Sequence, residues 1–491
     1  MAHQLRAIER GVASLPAPPA LMEHAGLAAA ELARELLHDQ SSVLILAGPG
    51  NNGGDALVAA RHLKSWWFKV DVVFTGSPDK LPPDAARALQ AWLDAGGTLL
   101  EDIPQQSMWG LAIDGLFGIG LARELDERHL RLVKQLNRAE LPVLALDIPS
   151  GLDSDTGQRL GAAVRATHTL TFIALKPGLF TAYGPDYAGE VHLDTLDIDP
   201  TLFATPKGAL LQRRQVASAL KPRPRNSHKG MLGSVGIIGG AASMCGAALL
   251  AGRAALSLGS GRVYVGLLAP DAPAVDVLQP ELMLRTPEQL FEVDGLSCLV
   301  VGPGLGQSAQ ALQLLRRALE TELPLILDAD ALNLIGANPD LVPLLRSRKA
   351  GTIATPHPAE AARLLGCSTH DVQQDRVGSA LVLATRFNSL LVLKGAGSIC
   401  AAPDETWHIN PTGNAGLSSA GMGDVLSGML GALLAQRLGL TEAMLLAVYL
   451  HGAAADELVA QGIGPIGMTA SEVIAAARAL LNAWVYREGM Q

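Results

Sequence analysis

Along the first half of the chain, short unbroken apolar runs alternate with stretches in which apolar residues recur every three or four positions. The helical period predicts an amphipathic helix over Leu21 to Leu37 and another near Asp55 to Lys64. The runs Val43–Ala47, Val70–Phe74, Leu111–Asp114, Pro142–Asp147 and Thr169–Ile173 are too short for helices and read as strands. Strands apolar on both faces belong to a parallel sheet covered by helices on both sides. A second alternating series opens with Val235–Gly239. It runs through Arg262–Leu267, Cys298–Val301, Leu325–Asp328, Thr352–Thr355 and Leu390–Lys394. Three helical segments follow, at Met422–Gln436, Thr441–Val459 and Thr469–Val485. Between the two series lies Lys221-Pro-Arg-Pro-Arg-Asn-Ser-His228, basic and rich in proline, which neither helix nor strand accommodates. That segment marks the expected boundary region, with domains at 1–215 and 216–491. The motif orders of the halves differ, which makes the chain a fusion and not a tandem repeat.

Length and composition support this division. A chain of 491 residues exceeds one ordinary core and fits two domains of roughly 200–270 residues. Charged residues make up only 17%, against about 25% in an average soluble protein. Buried parallel strands account for the shortfall. No uncharged apolar stretch reaches the roughly 18–20 residues that span a bilayer, and the greasiest region, Val425 to Ala435, is broken by Ser427, Gly428 and Gly431. The start carries Arg6, Glu9 and Arg10 and lacks the apolar core of a secretory signal, so a soluble cytoplasmic protein is expected, without a membrane partner. Cys245, Cys298, Cys367 and Cys400 are far apart and without C-x-x-C spacing, which points to reduced, buried thiols rather than disulfides or a zinc site. A formal charge of −9 argues against nucleic acid as a partner.

Candidate chemistry gathers at strand ends. Gly48-Pro-Gly-Asn-Asn-Gly-Gly-Asp55 has G-x-G-x-x-G spacing after a strand and before a helix, as in dinucleotide-binding folds. The ordinary version fits poorly: Asp71 lies within its strand, not at the end where a ribose is held, and Asp55 at a helix start repels a pyrophosphate. A tight structural turn and a polar loop binding a nucleotide differently both remain open, and the second is preferred. Asp114-Gly-Leu-Phe-Gly118 and Asp147-Ile-Pro-Ser150-Gly-Leu-Asp153 end two more strands. Asn51, Asn52, Asp114, Asp147 and Ser150 then converge at the carboxyl edge of one sheet, where ligands of open parallel sheets gather. Carboxylate, amide and hydroxyl oxygens suit an alkali or alkaline-earth cation, although a single strand-end aspartate can also merely cap the next helix.

These motifs, with Met22-Glu-His-Ala-Gly26, resemble the NAD(P)H-hydrate epimerase domain over about Leu21 to Asp199. The resemblance implies a Rossmann-like three-layer domain. Its substrate site would be lined by Asn51, Asn52, Gly53, Gly54, Asp55, Gly118, Ile119, Gly120, Leu121, Ala122, Arg123 and Glu124. It further implies Asp147 as acid/base and potassium held by Asn52, Asp114 and Ser150. Glu9 departs from the pattern, which has aspartate there.

In the second half Gly421-Met-Gly-Asp424 opens a long apolar helix. Backbone N–H groups at such a start can hold an anion while the aspartate deprotonates a hydroxyl. Alone, the motif is explained as well by a capping aspartate, and His357 by a loop histidine. Gly302-Pro-Gly-Leu-Gly306, Asp328-Ala-Asp-Ala-Leu-Asn333, Thr355-Pro-His-Pro-Ala-Glu360 and Lys394-Gly-Ala-Gly-Ser398 also follow strands. Together with His228–Gly230 and Gly239-Gly240 they resemble the NAD(P)H-hydrate dehydratase branch of the ribokinase-like fold, over Lys229 to Gly428. The resemblance implies that Ala247, Gly304, His357 and Asp424 meet the hydrated nicotinamide nucleotide. It places Lys394, Gly395, Ala396, Gly397, Ser398 and Gly423 on ADP, with Mg2+, and Asp424 as catalytic base. Ala359 and Ser419-Ala420 stand where that branch has glycine. The expected activity is repair of hydrated NADH or NADPH by a homo-oligomer. The competing expectations are an ATP-dependent kinase of a small alcohol and a non-catalytic nucleotide sensor.

Overall fold

The computed structural model describes every residue except 39, 106, 107, 218, 220 and 487–491. The chain forms two compact units, Met1–Pro206 and Lys207–Gln491.

The first unit is built on β1 (Ser42–Ala47), β2 (Lys69–Phe74), β3 (Leu99–Leu100), β4 (Leu111–Gly115), β5 (Val143–Leu146), β6 (His168–Phe172) and β7 (Glu190–Asp194). They pair in the order β3-β2-β1-β4-β5-β6-β7, and every pairing is parallel. Apolar side chains of β1, β2 and β4 alternate between two cores. One is shared with the helices Leu21–Leu37 and Asn51–Ser65; the other lies under Glu127–Arg138. This is the three-layer, doubly wound arrangement, and strand order reverses between β1 and β4. The crevice beyond their carboxyl ends is therefore where a ligand has room to enter.

The expected strands are present within a residue or two, and the helix Leu21–Leu37 has the bounds read from its period. The helix after β1 starts at Asn51, not near Asp55, so Asn51–Asp55 are helical rather than loop. Glycine is required there: a Cβ on Gly53 would stand 2.0 Å from Gly48 O.

The second unit carries β8 (Gly208–Leu210), β9 (Ser234–Gly239), β10 (Arg262–Leu267), β11 (Met283–Arg285), β12 (Cys298–Val301) and β13 (Leu325–Leu327). It continues with β14 (Thr352–Ala354), β15 (Leu390–Leu393), β16 (Ser398–Ala401) and β17 (Trp407–Asn410). Their order is β11-β10-β9-β12-β13-β14-β15-β16-β17-β8, reversing between β9 and β12. The sheet is parallel up to β15, and β16 is antiparallel to both its neighbours. Both units thus have the α/β class expected.

The division falls ahead of the expected 215/216 boundary because Gly208–Leu210 pairs with β17 as an edge strand. Nor is Lys221–His228 free of the second unit: the Arg223 backbone N–H donates to the Tyr486 hydroxyl at 3.0 Å, and its guanidinium to Gly259 O at 2.9 Å. Among the described residues one helix, Leu440–Ala460, is long and apolar enough to cross a membrane. Its Ala443, Met444, Leu446, Ala447, Leu450 and Ala454 are buried in the core of this unit.

Candidate active sites

In the first unit a cleft of about 660 Å³ opens at the switch point. Asn51, Asn52 and Asp55 line it from the helix after β1. Gly118–Leu121 line it from the loop after β4, and Asp147 from the end of β5. Asp147 has φ +68, a left-handed conformation that costs a residue other than glycine about 1–3 kcal/mol and is found at functional sites. Its Oδ2 accepts from the Ile119 N–H at 2.9 Å, and Gly118 leaves the needed space, since a Cβ there would lie 2.6 Å from that oxygen. Its Oδ1 meets Lys176 Nζ at 2.5 Å. Lys176 is 2% exposed and also donates to Thr171 Oγ1 and Phe172 O, each at 2.8 Å. Lys176 carries no motif in the sequence; its one signal there is a cation shortly after the strand run ending in Ile173.

Asp55 and Glu9 face the same space. Burial, and then the charges of Asp147 and Glu9, hold the Asp55 carboxyl well above its ordinary range. Burial and then Asp147 raise Glu9 as well. Of the expected lining, Gly53 and Gly54 are buried by helix packing, and Ala122, Arg123 and Glu124 are exposed beyond the Gly118–Leu121 stretch that lines the cleft.

Asp114 and Ser150 lie beneath the floor and are fully buried. The Asp114 carboxylate accepts from Ser150 Oγ at 2.7 Å, Ser150 N at 2.8 Å and Leu116 N at 3.2 Å. Burial nevertheless pushes it up to about 6. Asn52 donates to Leu146 O at 3.2 Å, while its Oδ1 is buried without a hydrogen-bond partner. Asn52 follows β1 and Asp114 lies in the adjacent β4, and an orphaned amide oxygen and a desolvated carboxylate are donors that suit a hard cation.

In the second unit the strand ends converge on Asp328, 1% exposed, whose Oδ1 meets Lys394 Nζ at 2.7 Å and whose Oδ2 accepts from Ser427 Oγ at 2.8 Å. Gly423 adjoins this pair: a Cβ there would lie 3.2 Å from Lys394 Nζ. Asp424 follows in the first turn of the helix Met422–Ala435, behind Gly421 at φ +87. Its carboxylate accepts no hydrogen bond among the described residues, so it does not cap the helix. Burial first, then the charge of Asp328, pushes it up to about 7 against the opposing pull of Lys394. An aspartate with that proton affinity suits a general base near neutral pH.

Gly304 and Ala247 are neighbours, a Cβ on Gly304 reaching 3.2 Å from that of Ala247. His357 caps the helix Pro358–Leu365, its Nδ1 accepting from Ala359 N at 3.1 Å, and its Nε2 lies 3.3 Å from Glu360 Oε1. Burial and then the Lys394 charge lower its proton affinity, so it is neutral at pH 7. Lys394–Ser398 is held from beneath by Arg376, 2% exposed, which donates to the carbonyls of Leu393, Lys394 and Gly397 at 3.3–3.4 Å. Arg376 comes from a helix and carried no motif in the sequence.

Residues 19–178 match the family described as "YjeF-related protein N-terminus", and residues 235–478 match the one described as "NAD(P)H-hydrate dehydratase". The "Bifunctional NAD(P)H-hydrate repair enzyme Nnr" of Escherichia coli is 40% identical, over 94% of this chain and 89% of that protein. The protein of the same name from Coxiella burnetii is 38% identical over 98% of both chains. A solved ADP/ATP-dependent NAD(P)H-hydrate dehydratase from Bacillus subtilis, co-crystallized with ATP and Mg2+, is 28% identical. It covers 56% of this chain and 98% of its own, with a TM-score of 0.49. The likeness to full-length relatives spans both units, and the chain belongs to the family of bifunctional NAD(P)H-hydrate repair enzymes, an epimerase domain followed by a dehydratase domain.

Proposed function

We propose that the chain returns hydrated NADH and NADPH to use in two steps, one in each unit. In the first unit Asp147 moves a proton as the R and S hydrates interconvert. The Ile119 amide and Lys176 fix its two oxygens, so one face of the carboxylate is presented to the cleft. Asn52, Asp114 and Ser150 would hold potassium, which when bound offsets the negative charge of the substrate phosphates.

In the second unit Asp424 takes the proton from the hydroxyl of the S hydrate. That oxygen attacks the terminal phosphate of ADP and AMP leaves. The resulting phosphate ester eliminates as inorganic phosphate, which hydroxide does not do readily. The amides at the helix start near Gly423 and the Lys394 ammonium face the transferred charge, worth about 3–4 kcal/mol if they act as an oxyanion hole does. Magnesium with the nucleotide, and contacts of Ala247, Gly304 and His357 with the nicotinamide part, complete the reading.

The observation that carries it is Asp424: half-buried, uncapped, pushed up to about 7 and set beside the Lys394–Asp328 pair. A small-alcohol kinase would use the same base but leaves the first unit without a task. We also infer action in the reducing cytoplasm, as a homo-oligomer on free nucleotides. Burial pushes the Cys298 and Cys400 thiols up to about 12, which makes them inert there, whereas Cys245 is half-buried and Cys367 exposed, so only two of the four thiols expected to be buried are so. The deciding experiment incubates S-hydrated NADH with ADP and follows nicotinamide absorbance, AMP and phosphate. One AMP and one phosphate per NADH recovered are expected. With the R hydrate, recovery should also require Asp147 and Lys176, so that Asp147→Asn and Lys176→Met each slow it about 100-fold or more while the S hydrate is processed normally. AMP release without NADH recovery would sink the proposal.

A further inference from the structure

Away from both sites, at the amino-terminal ends of β6 and β7, three metal-ligating side chains meet. The parallel register sets His168 opposite Glu190 and Leu170 opposite His192. Side chains two apart on a strand share a face, so His168, Glu190 and His192 all project to the same side. The two imidazoles approach through ring nitrogens, His168 Nδ1 lying 3.1 Å from His192 Nε2. Glu190 Oε2 stands 3.9 Å from the first nitrogen and Oε1 3.9 Å from the second. Every donor atom lies within 4.8 Å of the others.

We propose that His168, Glu190 and His192 form a binding site for a borderline divalent transition ion of the zinc class. Zinc–nitrogen bonds of about 2.0–2.1 Å at a tetrahedral angle place two ligand nitrogens about 3.3 Å apart, close to the spacing found. The carboxylate must move in by about half an ångström to match the zinc–oxygen distance. Glu190 has the freedom to do so, its side chain being 70% exposed, whereas the imidazoles are held at 23% and 30%. Two imidazoles and one carboxylate select zinc-like ions over magnesium or calcium, which prefer all-oxygen shells. The fourth position opens to solvent.

The site is not part of the chemistry of the cleft. Phe172, four residues along β6 from His168, lines that cleft, and strand rise makes this about 13 Å. A bound ion would instead clamp β7, the last strand of the sheet, onto β6.

The test uses the full-length chain freed of metal with a chelator and titrated with Co2+, then with Zn2+. One equivalent of Co2+ should give the visible band of a tetrahedral nitrogen/oxygen site, and Zn2+ should abolish the band. Zn2+ should also raise the melting temperature of the first unit. His168→Gln and His192→Gln should each weaken binding about 100-fold or more, and Glu190→Gln about 10-fold. Epimerisation should be unchanged in all three. Glu190 is exposed, so its variant folds even if a histidine variant does not, and it keeps the test decisive. The absence of a band, or a band unchanged in Glu190→Gln and in every folded histidine variant, overturns the proposal. In that case the imidazoles share a proton and any bound metal sits elsewhere.

Discussion

Replacing Asp424 by asparagine separates a base from a cap through two measurements that move in opposite directions. The substitution keeps the shape and the helix-start amides but removes the ionisable group. An unfolded aspartate titrates near 3.9, whereas burial and the Asp328 charge place the folded group at about 7. Between those values the folded chain holds a proton that the unfolded chain has released. Ionising Asp424 therefore costs the fold stability as pH rises through that window, up to about 4 kcal/mol by pH 8 before solvent screening. Asp424→Asn should then be more stable than the natural chain by about 1–3 kcal/mol at pH 8, with the gain vanishing near pH 4. Turnover should move the other way, falling about 100-fold or more. In the unaltered enzyme it should fall about tenfold per pH unit below 7, as the base becomes protonated. The assays are chemical denaturation at pH 4 and pH 8, ADP binding by calorimetry, and recovery of NADH absorbance from the S hydrate. Asparagine caps helices about as well as aspartate. Near-normal turnover with unchanged stability would refute the base assignment and return Asp424 to a structural part.

Potassium at Asn52, Asp114 and Ser150 would compete with a proton on Asp114, which titrates at about 6. The potassium concentration for half-activation of epimerisation should rise about tenfold per pH unit below 6, and a flat profile would remove Asp114 from the site. Arg376→Met strands the carbonyls of Leu393, Lys394 and Gly397. It should cost the second unit about 2–4 kcal/mol in denaturation and raise the KM for ADP roughly tenfold or more; stability loss with an unchanged KM would mean that the loop does not carry the nucleotide. The fragments 1–206 and 207–491 should each be soluble and retain one activity. A second fragment cut at 216 should melt lower, because β17 loses its partner β8; equal melting temperatures would show that β8 adds nothing.

The sequence by itself determined the order of elements and the chemistry at the strand ends. Strands buried on both faces read as unbroken apolar runs, so β1, β4, β9, β12 and their neighbours were legible, and the polar motifs directly behind them had to fall at one edge of a parallel sheet. Asp147 was singled out for that reason, and Asp424 because Gly421-Met-Gly-Asp424 opens a long apolar helix. Edge strands lack this signature: β7 reads Glu190-Val-His-Leu-Asp194, half polar, and β8, β16 and β17 went unrecognised together with the position of the unit boundary. Tertiary structure alone decided which distant groups meet. Lys176 reaches Asp147, Arg376 holds the loop after β15, Lys394 and Ser427 both reach Asp328, and two histidines face each other across β6 and β7. Register and strand order set those encounters, and no local pattern encodes them. The proton affinity of Asp424 follows the same logic: its value comes from desolvation and from the Asp328 carboxylate at the end of β13, both products of packing rather than of the residue itself.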